Sequence, residues 1–161
     1  MLSDDLCVVM VRDLRAVARE VAAYPTDEAL WREMPGVTNP GGTLALHLAG
    51  NVQHFIGRVL GGRAFVRDRD AEFDRRDQTR AEVVAEVERA IASAEETLPR
   101  VDEARWSADY PLEVGGRTLR SSRFAMHLAS HLAYHLGQLD YHRRLVAPGT
   151  GTAATMSMAE L

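Results

Sequence analysis

The sequence predicts an all-α protein that folds as a four-helix bundle. Three observations lead to this prediction. Four segments carry apolar residues at three- and four-residue steps, which is the period of an amphipathic helix. The connections between these segments are long. Two of the four segments also carry histidines beside their apolar residues, and bundles build their sites from side chains on facing helices.

Composition sets the class of protein before any motif is considered. The 161 residues are 46% hydrophobic, which is enough for one compact domain with a sizeable core. We therefore expect a single domain over residues 1–146 and a partly ordered tail over residues 147–161. The net charge of -4 argues against nucleic acid as a partner. No apolar run approaches the ~20 residues of a membrane span and no signal peptide is recognisable, so we expect a cytoplasmic protein without a membrane partner.

The chain offers few nucleophiles of its own. All 19 basic residues are arginine, which excludes Schiff-base and lysine general-base chemistry. The single cysteine, Cys7, can form no disulfide within the chain and is placed next to predicted core positions, as a small buried hydrophobe is. An enzyme built on this chain would therefore take its nucleophile from water or from a cosubstrate.

The first predicted helix covers residues 3–24. Its apolar residues recur at helical steps, namely Leu6, Met10, Leu14, Val17 and Val21. Pro25 ends this helix, a short helical piece is expected at residues 27–32, and residues 35–42 are dense in turn formers.

The second predicted helix covers residues 43–60 and carries a polar stripe. At about 100° per residue, four polar side chains fall along one line of its surface: His47, Asn51, His54 and Arg58. Apolar residues border this line, namely Leu44, Leu48, Phe55 and Val59. The second helix therefore presents polar groups next to the face that we expect it to bury.

Residues 63–78 form a charged connection after this helix. Charges of alternating sign with few apolar anchors indicate a solvated segment. The alternative is an arginine-bearing loop over a site, in which Arg63, Arg67 or Arg69 meets an anionic ligand. No residue of the segment decides between the two interpretations.

The third predicted helix begins at a capping-box pattern made by Thr79 and Glu82. Apolar residues follow at helical steps until Pro99 ends the helix. Further along, residues 110–114 and 117–120 flank a Gly–Gly pair, which predicts a small β-hairpin supported by the bundle.

The last predicted helix covers residues 121–146 and carries the second histidine stripe. We expect Ser121 to open it by accepting hydrogen bonds from first-turn N–H groups. Six side chains lie near one line: Phe124, His127, His131, His135, Gln138 and His142. Leucines flank this line, so burying them also brings imidazoles inward. A buried polar group without a partner costs roughly 1–3 kcal/mol, and the imidazoles therefore need partners.

A metal ion would supply those partners. His131 and His135 are one turn apart on one face, a spacing that lets both reach a single ion, and His47 could supply the third ligand. Three neutral histidines leave a position for water or substrate, as in catalytic zinc sites. The other histidines are interpreted as hydrogen-bonded or interface groups: His54, His127 and His142. The HExxH signature of zinc proteases is absent, which disfavours a protease.

Two stretches resemble the DinB/YfiT-like superfamily: LALHLAGNVQHFIG on the second helix and HLAYHLGQLDYHRR on the last. The resemblance covers nearly the whole chain in helix order. It implies an up-down-down-up bundle, usually a homodimer, that binds a divalent metal through one histidine of helix two and an HxxxH pair of the last helix. The matching positions here are His47, His131 and His135. Asn51 and Gln138 then become candidates for the layer behind the ligands. Three more residues are candidate accessory groups: His54, Arg58 and His127.

The resemblance implies a range of activities. Members include transferases that use low-molecular-weight thiols such as bacillithiol or mycothiol, a mycothiol-dependent maleylpyruvate isomerase, and metal-dependent hydrolases. We expect a transferase in which the ion activates a thiol for attack on a small-molecule electrophile. Two alternatives stay open: a hydrolase with metal-bound water as nucleophile, and a non-catalytic metal-binding scaffold of a stress response. The expected metal is zinc or nickel, with iron and manganese as alternatives.

Overall fold

A computed structural model describes residues 1–151, 153 and 158–160, and this part of the chain is helical throughout its regular structure. Its α-helices are α1 Leu2–Ala22, α2 Asp27–Leu30, α3 Gly41–Asn51, α4 Arg69–Asp74, α5 Arg80–Thr97, α6 Glu103–Ser107 and α7 Ser121–Val146. Val52–Leu60 continues α3 as a π-helix, and 3-10 turns cover Leu98–Arg100 and Met158–Glu160. The predicted tail, residues 147–161, lies partly outside the described residues. In the described part of the chain, no helix is both long and apolar enough to cross a membrane.

Contacts of α1 with α5 and α7 define the relative directions of these three helices. Near the start of α1, the Ser3 hydroxyl donates to the Val101 carbonyl beyond the end of α5 at 2.5 Å. Near the end of α1, Asp27 accepts a hydrogen bond from Arg80 at the start of α5. These two helices are therefore antiparallel. The side chain of Glu20, also near the end of α1, pairs with the last turns of α7, so α1 and α7 run in the same direction.

The second helical segment, α3 with its π-helical continuation, runs parallel to α5 and antiparallel to α7. Along α5, Gln53 donates to Glu86 at 3.4 Å, and the later residue Gly61 lies against Thr97 near the helix end. Along α7 the order is reversed, because the early His47 ring faces His135 while the later Phe55 ring packs on Phe124. The four long segments thus run up, down, down and up, as predicted.

Sequence periodicity correctly identified the core side of α1. All five apolar positions predicted for that side are buried: Leu6, Met10, Leu14, Val17 and Val21. They join one contiguous core with the inner faces of α3, α5 and α7. Burying that apolar area against water is what drives the helices together.

The predicted capping box at the start of α5 is confirmed. The Thr79 hydroxyl accepts from the Glu82 backbone N–H at 3.2 Å, and the Glu82 carboxylate accepts from the Thr79 N–H at 2.8 Å. Both contacts satisfy donors that have no partner within the helix.

The predicted serine cap of α7 is wrong. Arg120 occupies the N-cap position and makes no capping side-chain bond. Ser121 is already helical, its backbone N–H donates to the Ala108 carbonyl at 2.9 Å, and its buried hydroxyl has no hydrogen-bond partner among the described residues. With its N–H bonded to Ala108, Ser121 is the first residue of the helix instead of the residue that caps it.

The second helical segment differs from its prediction in type. It begins at Gly41 rather than at residue 43, and from Val52 it is a π-helix, in which Gly61 N–H donates to the Ile56 carbonyl five residues back. The π repeat is wider than the α repeat, and π segments are frequent at functional sites. The 100° projection that aligned four polar residues therefore holds for His47 and Asn51 in the α-helical part only.

The predicted hairpin is present only as a turn with isolated bridges. Asp109 pairs with Arg120, and Val114 pairs with Arg117, but the described residues form no strand. Both glycines of the intervening pair have positive φ, 58° and 71°, as a two-residue type I′ turn requires. The segment therefore leads into α7 as a turn and adds no sheet to the described part of the fold.

Candidate metal centre

Three histidines converge between the second helical segment and α7. One ring nitrogen of each of His47, His131 and His135 lies within 4.8 Å of the other two, close enough to hold one metal ion. The Nε2 atoms of His131 and His135 are 3.1 Å apart, and the His47 ring lies 5.3 and 5.7 Å from their ring centres. No other group of three His, Cys, Asp or Glu side chains converges in this way within the described residues.

Antiparallel packing explains the convergence. His131 and His135 are one turn apart on α7, which puts both imidazoles on the side that faces α3. The neighbouring Leu128 and Leu132 are buried, so the helix cannot rotate these histidines away without exposing its core side. His47 meets them from the α-helical part of the second segment. All three rings are partly buried, with 13% of the His47 side chain exposed.

His131 and His135 are held in the neutral form that a metal ligand needs. Burial, followed by the charges of His135 and His47, lowers the pKa of His131 from 6.5 to about 4. Burial also lowers the pKa of His135. Because a protonated imidazole cannot bind a cation, neutral rings at pH 7 favour metal binding.

Both residues predicted to lie behind the ligands contact the histidines. The Gln138 amide oxygen lies 2.6 Å from His135 Nδ1. An amide oxygen only accepts, so Nδ1 carries the proton and His135 Nε2 keeps its lone pair. The Asn51 amide nitrogen lies 3.0 Å from His47 Nε2 and can only donate to it, so Asn51 contacts the lone-pair side of the His47 ring rather than the side behind it.

Sequence reasoning missed Glu72. One carboxylate oxygen of Glu72 lies 3.1 Å from His47 Nδ1, and the Arg67 guanidinium donates to both carboxylate oxygens, at 2.6 and 2.7 Å. Burial alone would raise the pKa of Glu72, but the hydrogen bonds from Arg67 and His47 outweigh it and lower that pKa. The site therefore includes an ionised, paired carboxylate.

No local signal in the sequence distinguishes Glu72 from its acidic neighbours. It lies in the charged segment 63–78, five residues after Arg67, a spacing that places the two on no common helix face. Only the folded chain shows that this segment contains α4 and lies against His47, whose ring packs 5.1 Å from the Phe73 ring.

The three arginines considered for that segment have different positions. Arg67 reaches the histidine cluster through its pair with Glu72 and also directly, with one guanidinium nitrogen 3.4 Å from His47 Nδ1. Arg63 pairs with Glu96 at the surface, and Arg69 lies over the Phe73 ring, 4.8 Å from its centre. The segment is therefore neither fully solvated nor a row of free arginines.

The structure does not bring the candidate accessory residues into the group of three. His54 lies in the π-helix, where its ring packs on Phe55 and its buried Nδ1 has no hydrogen-bond partner among the described residues. Arg58 donates to the Phe65 carbonyl at 2.8 Å and so supports the connection. His127 is exposed and continues the stripe of α7 one turn before the cluster.

His142 is a structural histidine, as interpreted from the sequence. Its Nδ1 is 2.7 Å from the Tyr24 hydroxyl, and its Nε2 is 2.9 Å from the Arg32 carbonyl. Both ring nitrogens are satisfied within the protein, and the side chain is buried.

Two cavities are separated from the cluster by one side chain each, and none of the three histidines lines either of them. One, of about 180 Å³, has Glu72 in its wall together with Gly50, Gln53 and Phe65. The other, of about 240 Å³, has Gln138 in its wall. Each cavity thus borders a residue that contacts one of the three histidines.

A family model described as the DinB superfamily matches residues 10–139. The chain belongs to the DinB superfamily. The match includes all three clustered histidines and agrees with the resemblance found on the two histidine-bearing helices. The comparison with curated proteins gave no match. Membership of the DinB superfamily supports the fold and a metal-binding site of three histidines, while the reaction has to be argued from the site itself.

Proposed function

We propose that this DinB-superfamily protein is a metal-dependent transferase that activates a low-molecular-weight thiol. His47, His131 and His135 would hold a divalent ion. The observation that carries the proposal is the convergence of their three ring nitrogens within 4.8 Å. A divalent ion bound there would lower the pKa of a thiol and stabilise the thiolate.

The donor set supports zinc or nickel. Imidazole suits both ions and iron, whereas manganese prefers oxygen ligands. Three protein ligands also leave a further position for substrate, which distinguishes catalytic from structural zinc sites. Gln138 orients His135 by accepting from its Nδ1, so that its other nitrogen points its lone pair at the cluster.

The position of Cys7 supports an external nucleophile. Its Sγ lies 3.9 Å from the Ala94 carbonyl, at the contact between α1 and α5 and away from the helices that carry the cluster. Burial, followed by the charge of Glu95, raises the pKa of this thiol and disfavours the thiolate. Since the chain has no lysine, a thiol cosubstrate fits the site better than an internal nucleophile.

The two cavities support an enzyme over a non-catalytic scaffold. A metal ion with a purely structural role needs no space beside it, whereas a transferase must hold a thiol and an electrophile. Cavities of about 180 and 240 Å³ border Glu72 and Gln138, each of which contacts one of the three histidines. Both a homodimer and a cytoplasmic location stay predictions.

The first experiment is elemental analysis of protein purified without a histidine tag. Wild type is compared with His47→Ala and His135→Ala, and with His127→Ala as the matched control, since His127 is an exposed histidine outside the group of three. We expect near-stoichiometric metal in the wild type and in the control, and its loss in the other two. A wild type that binds no metal even after reconstitution with Zn²⁺, Ni²⁺ and Mn²⁺ would contradict the proposed site.

The second experiment tests the reaction. Metal-loaded wild type and His131→Ala are each given a thiol and a panel of small electrophiles. We expect the metal-loaded wild type to consume the thiol faster than His131→Ala does. Equal rates would refute the transferase, and turnover of ester or amide substrates without any thiol would indicate a hydrolase at the same site.

A further inference from the structure

The two nitrogens of the His47 ring have opposite surroundings. Nδ1 faces the Glu72 carboxylate at 3.1 Å and, at a longer 3.4 Å, a guanidinium nitrogen of Arg67, while Nε2 faces the Asn51 amide nitrogen at 3.0 Å. An ionised carboxylate only accepts hydrogen bonds, and an amide nitrogen only donates them. The two shorter contacts, with Glu72 and Asn51, therefore select the same tautomer, with the proton on Nδ1 and the lone pair on Nε2.

Arg67 fixes the carboxylate that makes this selection. Its guanidinium donates to both oxygens of Glu72 in a bidentate pair, the strongest geometry available to two charged side chains. Only 11% of Arg67 and 8% of Glu72 are exposed. The guanidinium also lies 5.6 Å from the centre of the Phe55 ring, which limits its movement.

The second helical segment leaves room for the carboxylate. A Cβ atom at Gly50 would lie 2.0 Å from one carboxylate oxygen of Glu72 and 2.7 Å from its Cδ. A Cβ at this position would force the Glu72 carboxylate to shift, starting with the oxygen that pairs with Arg67. The absence of a Cβ here is thus a second feature, independent of the hydrogen bonds, that fits Glu72 to this place.

We propose that Glu72, clamped by Arg67, is a positioning residue that keeps the proton of His47 on Nδ1. The lone pair on Nε2, which accepts from the Asn51 amide in this structure, is then the one that binds the ion once that amide moves aside. This inference rests on the proposed metal site. Carboxylates that accept from the second nitrogen of a ligating histidine orient the ring and raise its affinity for metal. Because Glu72 comes from the connection and not from the two histidine helices, the position of α4 also sets how well His47 binds.

A role as direct ligand is the rival explanation. In the structure both oxygens of Glu72 are engaged by Arg67 and His47, and Glu72 is not part of the group of three. A positioning role predicts a moderate loss of affinity and an unchanged set of ligands. A ligand role predicts a severe loss and a changed coordination.

The test compares the wild type with Glu72→Ala and Glu72→Gln. The matched control is Glu86→Ala, because Glu86 lines the same cavity, pairs with Arg89 and makes no hydrogen bond to His47. In metal-free protein, two-bond ¹⁵N–¹H spectra report the His47 tautomer. In loaded protein, competition with a chelator gives the zinc affinity, and the visible spectrum of the Co²⁺ form reports the ligand set.

We expect the wild type and the Glu86→Ala control to show His47 protonated on Nδ1. In Glu72→Ala the Nε2–H tautomer should gain population and zinc affinity should fall about 10- to 100-fold, with the Co²⁺ spectrum retained. In Glu72→Gln the amide oxygen can still accept from Nδ1, so the zinc affinity and tautomer population of this variant should lie between those of the wild type and Glu72→Ala. It also provides the measurement if the alanine variant folds poorly.

Two results would overturn the inference. One is an unchanged tautomer and zinc affinity in folded Glu72→Ala. The other is a changed Co²⁺ spectrum with a loss far beyond 100-fold, which would make Glu72 a ligand. A wild type that binds no zinc, in which Glu72→Ala still changes the His47 tautomer, would refute the proposed metal function while upholding the orienting contact.

Discussion

Alanine at Gly50 tests the site with a single added methyl group. Gly50 lies inside α3, where alanine is normally favoured over glycine by ~0.5–1 kcal/mol. At this position, however, the new Cβ would lie 2.0 Å from a Glu72 oxygen, so the carboxylate has to move. Moving it breaks hydrogen bonds to charged groups, which are worth roughly 1.5–3 kcal/mol. The loss exceeds the helix gain, and we expect Gly50→Ala to lower the free energy of unfolding by ~1–2 kcal/mol.

Gly137→Ala is the matched control. Gly137 lies inside α7, and a Cβ there would meet nothing within 4 Å. This variant should gain the full ~0.5–1 kcal/mol of helix preference. Urea unfolding of metal-free protein, followed by circular dichroism, measures both changes, and zinc competition on the same samples should show weaker binding only in Gly50→Ala.

A double variant separates the clash from any other effect at this position. Once Glu72→Ala has removed the carboxylate, adding Gly50→Ala should stabilise the protein by ~0.5–1 kcal/mol, as at an unobstructed helix position. The reasoning is refuted if Gly50→Ala is as stable as Gly137→Ala and binds zinc as tightly as the wild type.

Three further predictions concern stability and assembly. Arg143 and Glu20 form a buried pair, with 1% and 0% of their side chains exposed, so Arg143→Met should lower the free energy of unfolding by ~3–5 kcal/mol. Arg144 is 46% exposed, and Arg144→Met should lower it by only ~0–1 kcal/mol. Urea unfolding measures both changes, and equal losses would contradict the buried pair. Burial lowers the pKa of His142, so below pH ~6.5 the unfolded chain binds a proton that the folded chain does not. The free energy of unfolding therefore decreases as the pH is lowered. Between pH 7 and pH 4 the free energy of unfolding of His142→Gln should decrease less than that of the wild type. An identical pH dependence in the two proteins would refute the contribution of His142. Light scattering after gel filtration should give about twice the 17.8 kDa chain mass, while a single-chain mass would rule out the predicted homodimer.

The sequence was a sufficient guide wherever a feature repeats along one helix. The core positions of α1 follow a three- and four-residue period, and burial confirms them. His131 and His135 share a face of α7 because four residues make about one turn. The capping box of Thr79 and Glu82 is likewise local. Each of these depends only on residues within two turns of one another.

Two local patterns did not hold in the folded chain. Ser121 has the right side chain for a cap, but its backbone N–H is taken by Ala108, so the hydroxyl lies inside the helix without a partner. The projection of the second helix assumed one repeat throughout. The π-helix from Val52 onward changes that repeat, and the expected alignment of His54 with His47 is lost.

By itself, the sequence predicted the four long helical segments, the family and the three histidines that could bind a metal. The tertiary structure alone decided what holds His47. Glu72 is 25 residues away from it, in a segment whose composition resembles solvated surface. The physical reason is that a hydrogen bond between distant residues depends on packing geometry and leaves no periodic trace in the chain. Only the fold brings Arg67, Glu72 and His47 together over the space that Gly50 leaves open.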